Sequence, residues 1–251
     1  MKTASARFLV GAAVIAVFAG CSKKTEDTPA DAAAQTAEAP AAGPAIAPLR
    51  ATGNEPFWRV DLSESAVVLT TPDGEVRAGA PVLDTTFDDG SVLYVAAGEG
   101  GEIAVKVVDR VCTDSMTGMP HPQAVQVWSG GQELRGCGGE PASLLQGGEW
   151  TVDEFDGKAP VKDSTITLNF GADGSLSGST SCNRLATTYT LSGEGLSIAQ
   201  GAGTMMACDA PVMEQEKAIL ALLAGVNAFG VADDGALLLK TADGRTIRAR
   251  R

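Results

Sequence analysis

Histidine is nearly missing: the 251 residues contain one, His121. A metal site built on two imidazoles is therefore excluded, and any His-dependent triad has to pass through this residue. Aromatic residues are also scarce, at 5%. Glycine is abundant instead, at 30 residues, with 12 prolines, a balance that favours short strands and many turns over long helices. Basic residues are outnumbered 19 to 31 by acidic ones, for a formal charge of -12. A surface this acidic repels phosphate, which argues against nucleic acid as a partner. No Cys-x-x-C pair occurs, and no Gly-x-Ser-x-Gly elbow surrounds a serine. The Gly-rich stretch 98–101 lacks the Lys-Ser/Thr of a phosphate loop. These absences point away from an enzyme and imply no cofactor.

What is present begins with an address. Lys2 and Arg7 precede an apolar run, Phe8 to Gly20, that is shorter than the about 20 residues a membrane-spanning helix needs. It fits the apolar region of a secretory signal over residues 1–20. Phe18-Ala19-Gly20-Cys21 resembles the bacterial lipoprotein signal, in which a cysteine after small residues is acylated and becomes the new N-terminus. An ordinary secretory signal with an incidental cysteine is the competing reading. Acylation of Cys21 implies a durable membrane anchor, because several buried chains hold far more firmly than one. Ser22 in place of Asp implies, by the same resemblance, release to the outer membrane, facing the periplasm. Loss of residues 1–20 leaves 17 basic against 31 acidic residues, a charge of -14.

Residues 21–50 are rich in Ala and Pro, with Ile46 and Leu49 the only large apolar side chains. They read as a lipidated cysteine and a disordered linker, a coil spanning about 30 Å. From Ala51 short alternating runs appear, at 57–62, 66–69, 92–95, 103–109 and 124–128, separated by turns at 71–74, 88–90 and 129–131. This spacing predicts an antiparallel β sandwich or barrel over 51–146. That stretch holds 5 basic and 14 acidic residues, a net -9 that makes up most of the net negative charge. A second region, 148–251, alternates at 165–170, turns at Asp173-Gly174, and has strand-like runs at 175–179, 188–191, 196–198, 229–231, 236–240 and 246–248. One helix is predicted at 210–224, capped by Asp209, with Pro211 in its first turn and Gly225 at its end. Val212, Ile219, Leu223 and Val226 share one face, with Glu214, Gln215 and Lys217 turned away. The fold class is mainly β to α+β.

Several features of 148–251 resemble the META domain, the family typified by the heat-shock protein HslJ. They are Trp150, the strand-turn-strand ITLNFGADGSLSGSTSCN, and the run TMMACDAPVMEQEKAILALLAGV. The family often has a basic residue before Met-Ala-Cys, where this chain has Met205. In the first region, GNEPFW at 53–58, CTDSMTG at 112–118 and GCG at 136–138 resemble an uncharacterised domain of bacterial envelope lipoproteins. The two resemblances imply a non-enzymatic envelope lipoprotein acting as an interaction or stress-tolerance module. They imply an envelope protein as its partner.

With Cys21 lipidated, Cys112, Cys137, Cys182 and Cys208 remain, an even count that allows three pairings. The pairing within each domain, Cys112–Cys137 and Cys182–Cys208, is the simplest. Each bond would close a loop of about 25 residues and contribute roughly 3 kcal/mol in the loop-entropy description.

Met116, Met119 and His121 follow Cys112 closely, and thioether plus imidazole donors suit Cu(I). That is the alternative function, a small-ligand or Cu(I)-binding lipoprotein. Packing of the methionines in or beside a turn is the competing reading. Asp114 and Ser115 beside His121 are the one place a nucleophilic triad could form. Phe57 and Trp58 read as core, or else as lining for a hydrophobic ligand or peptide. Asn54, Trp58 and Asn183 are the candidate partner surface, with a turn as the alternative for Asn183.

Overall fold

A computed structural model of the protein describes residues 46–251. The expected signal peptide, Cys21 and nearly all of the linker lie outside the described residues. Alternation of apolar and polar residues produces most of the strands that follow. The first lobe contains β1 (Leu49–Asn54), β2 (Phe57–Leu62), β3 (Val67–Thr71), β4 (Gly74–Ala78), β5 (Val82–Thr86) and β6 (Val92–Gly98). It continues with β7 (Gly101–Val108), β8 (Cys112–Thr113), β9 (Pro120–His121), β10 (Gln123–Ser129) and β11 (Gln132–Gly138). Leu49 and Arg50 thus belong to a strand rather than to the expected linker, because Leu49 packs against the first core.

Nine of these strands form one antiparallel sheet in the order β4-β3-β2-β1-β11-β10-β7-β6-β5. The side chains of Trp58, Val60 and Leu62 on β2, Ile103, Val105 and Val107 on β7, and Val125 and Val127 on β10 fill its inner face. A sheet buried on one face takes this period-2 pattern. The sheet curls into a half-barrel. The Gly79 N–H donates to the Ala97 carbonyl at 3.0 Å, drawing the end of β4 towards β6. The β10–β11 hairpin turns through Gly130 and Gly131, both at positive φ, a geometry that side chains resist. Strand β5 lies at the open edge, with Val82 and Leu83 exposed.

The second lobe contains β12 (Trp150–Phe155), β13 (Ile166–Phe170), β14 (Ser175–Thr180), β15 (Arg184–Ser192), β16 (Gly195–Ile198) and β17 (Ala202–Gly203). After the helix α1 (Ala210–Ala224) come β18 (Val226–Val231), β19 (Leu237–Thr241) and β20 (Thr246–Arg250). The order β16-β15-β14-β13-β12-β20-β19-β18 makes a nearly closed barrel, with β17 beside β15. Its core includes Trp150, Leu168, Phe170, Leu176, Leu237 and Ile247. From α1, Ile219, Leu222 and Leu223 pack into it.

Two features of the helix differ from expectation. Gln215 is buried rather than turned away, and Glu216 beside it is buried too. The Asp209 side chain makes no capping bond; its backbone carbonyl accepts from Val212 and Met213 N–H instead. Among the described residues no helix is long and apolar enough to cross a membrane.

The two lobes are packed as one unit. A short 3-10 turn, Pro141–Leu144, joins them. Leu144 and Leu145, expected at the end of the first domain, pack in the second core, where Leu145 is fully buried. Met119, from the loop between β8 and β9, also lies in the second core. The lobes therefore share apolar packing, not only a connection.

Candidate functional site

Three segments distant in sequence converge at one end of the first sheet. The GNEPFW hairpin joins β1 to β2, CTDSMTG spans β8 and its following loop, and GCG closes β11. Thr52 pairs with Cys137 across β1 and β11, and Cys137 forms a disulfide with Cys112. Gly53 is required by close approach: a Cβ there would overlap the Trp58 indole and lie 2.5 Å from the Arg135 carbonyl.

That approach corrects the assignment of Trp58 to a partner surface. Its side chain is completely buried, and its indole Nε1 donates to the Arg135 carbonyl at 3.3 Å. Phe57 is the reverse case, 58% exposed, because neighbours on a strand face opposite sides. Trp58 is core, and Phe57 is not.

Asp114 organises the loop. Its Oδ1 accepts from Met116 N at 3.0 Å, Thr117 N at 2.7 Å and Thr117 Oγ1 at 2.8 Å. Its Oδ2 accepts from Asn54 Nδ2 at 2.9 Å, and the same amide reaches Ser115 Oγ at 3.0 Å. Burial alone would raise the carboxyl's pKa, but these hydrogen bonds to the charged form outweigh it and bring the pKa down to about 2. Asp114 is thus held ionised, and its role is to fix the loop.

His121 pairs with Cys112 between β8 and β9. Its Nδ1 lies 2.9 Å from the Gly139 carbonyl. A carbonyl oxygen only accepts, so Nδ1 carries the hydrogen and the neutral ring's lone pair is on Nε2. Ser115, Asp114 and His121 do not assemble as a relay, because Ser115 is bonded to Asn54 and His121 to Gly139. Met116 is 73% exposed, while Met119 is buried.

A cleft of about 430 Å³ opens between the lobes at this point. Asn54, Asp114, Met116, Met119 and His121 line it from the first lobe, and Leu191, Ser192 and Gly193, from the end of β15 and the turn after it, line it from the second. Glu140 and Pro141 line it as well. The Met116, Met119 and His121 set singled out from sequence is therefore brought to one cavity. Sequence reasoning missed Glu140 and the Leu191–Gly193 turn, and no local signal marks them. A wider depression of about 700 Å³ lies on the second lobe, but its walls are mostly small side chains, with only Glu149 and Arg184 charged. The cleft carries the more varied chemistry.

Asn183 also requires correction, since it is buried and cannot be a partner surface. Its Nδ2 donates to Glu216 Oε1 at 2.9 Å and to the Met206 carbonyl at 3.3 Å, while its backbone N–H donates to Glu216 Oε2 at 3.0 Å. Its Oδ1 accepts from Thr204 Oγ1 at 2.8 Å and Met206 N at 2.7 Å. Gln215 accepts from Val161 N at 2.6 Å and donates to Ser164 and Ser181. These partners explain why two polar helix residues face inward: each ties a loop to α1. The Cys182–Cys208 disulfide lies beside the same network.

In the second lobe, Trp150, the β13–β14 hairpin, Asn183 and the buried face of α1 all belong to one barrel. Residues 143–251 match the META domain family. The match begins ahead of the expected position 148 and so takes in Leu144 and Leu145, consistent with their place in the META core. Two solved structures are similar to this chain. An NMR structure of a protein from Burkholderia xenovorans is 28% identical, covering 44% of this chain and 85% of that one, with a TM-score of 0.38. A second NMR structure is 24% identical, covering 43% and 92%, with a TM-score of 0.36. No curated protein matches the chain.

Proposed function

We propose that the protein is a lipid-anchored component of the cell envelope that works by binding, not by catalysis. The anchor would be Cys21, and the location the periplasmic side of the outer membrane. The apolar run ending at Cys21 and the two disulfides support export, because such bonds persist in oxidising compartments. The META match is consistent with an envelope-associated protein without catalytic chemistry. The HslJ resemblance extends this to a stress-tolerance role exerted through an envelope protein partner.

One observation carries the non-catalytic reading. The only histidine and the aspartate nearest it in sequence are bonded to different groups, so neither activates a nucleophile. The interlobe cleft is then the binding surface.

Two measurements test this. Acyl labelling in cells should mark the wild-type chain and not Cys21→Ser, and the labelled chain should sediment with outer membrane. A photo-crosslinking residue at position 116, on the cleft, should capture the same envelope protein reproducibly, and one at the exposed position 75 should not. An unlabelled, freely soluble wild-type chain would refute the anchor. Equal capture at both positions would refute the cleft.

A further inference from the structure

We propose that the interlobe cleft is a Cu(I) site, with Met116 Sδ, Met119 Sδ and His121 Nε2 as its donors. The inference deepens the binding role assigned to the cleft, but it depends on neither the lipid anchor nor a protein partner. All three side chains line the same cavity. Two thioethers and an imidazole are neutral, soft to borderline donors, a set that suits Cu(I) and serves Ca²⁺ or Mg²⁺ poorly. Among the described residues no group of three His, Cys, Asp or Glu converges, so no harder site competes with it. Cys112, Cys137, Cys182 and Cys208 are all in disulfides and offer no thiolate.

Two further features fit a metal. The His121 Nδ1–H is directed at the Gly139 carbonyl, which fixes the ring and leaves the Nε2 lone pair free. Metal-binding imidazoles are typically held by such a second bond. The loop that carries Met116 is fixed in advance by Asp114 and by the Cys112–Cys137 disulfide, so little order has to be created on binding. The charges facing the cavity are Asp114 and Glu140, and neither lysine nor arginine lines it. The local field therefore favours a cation. Binding replaces the ion's solution ligands without change of oxidation state.

The test uses the full chain in detergent micelles, oxidised at its disulfides, with anaerobic Cu(I) buffered by bicinchoninate. One equivalent of Cu(I) should transfer to the protein, with sulfur and nitrogen scatterers in its X-ray absorption spectrum. Met116→Leu and His121→Gln should each weaken binding by on the order of 10-fold or more. Met116 is largely exposed, so Met116→Leu leaves the fold intact and its result stands alone. A Met205→Leu, Met206→Leu variant, changing the exposed methionines of the META domain, should bind as wild type. The site is overturned by failure of the wild type to withdraw Cu(I), by undiminished binding in Met116→Leu or His121→Gln, or by loss that follows the Met205, Met206 pair. The in-cell crosslink at position 116 can succeed or fail independently of all three.

Discussion

Asn54 Nδ2 donates to Asp114 Oδ2 at 2.9 Å, linking the β1–β2 hairpin to the loop after β8 across 60 residues of sequence. The contact joins two of the three first-lobe motifs, GNEPFW and CTDSMTG. It also sets a dependence on acidity. The Asp114 pKa is about 2 in the folded chain, below the ordinary value of 3.8. Its contribution to stability is therefore complete above the unfolded value and is lost as pH falls through the folded one. With allowance for partial exposure, about 1 kcal/mol is at stake. Asn54→Ala should raise the Asp114 pKa in a carboxyl-detected NMR titration and shift acid unfolding to higher pH. An unmoved titration would show that the loop amides alone hold the charge.

Met119 belongs to the first lobe by sequence and to the second by packing. Met119→Ala should cost about 2–4 kcal/mol in chemical denaturation, the range for truncating a buried methionine. Met119→Leu, which conserves volume, should cost under about 1.5 kcal/mol. Hydrogen exchange should quicken in β12 and around Leu145 for the alanine variant. Exchange confined to the β8–β9 loop would contradict this assignment.

Asn183→Ala removes the Nδ2 donor to Glu216 Oε1, keeping only the backbone N–H to Oε2, and leaves the Met206 N–H without its acceptor. Leaving buried polar groups unpaired should destabilise the META domain by about 2–4 kcal/mol. Denaturation of the full chain, followed by tryptophan fluorescence, reads the effect. A change under about 0.5 kcal/mol, the level of an ordinary surface substitution, would mean that solvent replaces the lost partners.

Each disulfide closes its loop within one lobe. The Cys182→Ser, Cys208→Ser variant should lose roughly 3 kcal/mol, with exchange rising between β17 and α1. Thiol labelling of the unfolded, unreduced wild type should find Cys112, Cys137, Cys182 and Cys208 blocked. Reactive thiols at any of these four would contradict the pairing.

Much of the fold was legible in the sequence because its strands alternate. The run Phe57–Leu62 is read to the residue, and the helix Ala210–Ala224 is marked by Pro211 and Gly225 at its ends. Strand β5 is not legible, since nearly all its side chains are exposed and its partner β6 alone defines it. Strand β11, QELRGCG, has few strand-forming residues and takes its place from pairing with β1 and β10. At the site, Met116, Met119 and His121 are close in sequence and all line the cleft. It could not show that Trp58 and Asn183 face inward, because burial of a polar or aromatic group depends on partners from remote strands. Nor could it supply Leu191–Gly193, which come from the other lobe.

The META core contains a socket filled by Met119, a side chain that the META sequence itself does not provide. Residues 143–251 of this chain alone would keep the socket and lose the side chain that fills it. Transplanting this one to a new host would require the β8–β9 loop to travel with it. In this chain the two halves are therefore not interchangeable modules: a cut at their connection severs a peptide and also uncorks a core.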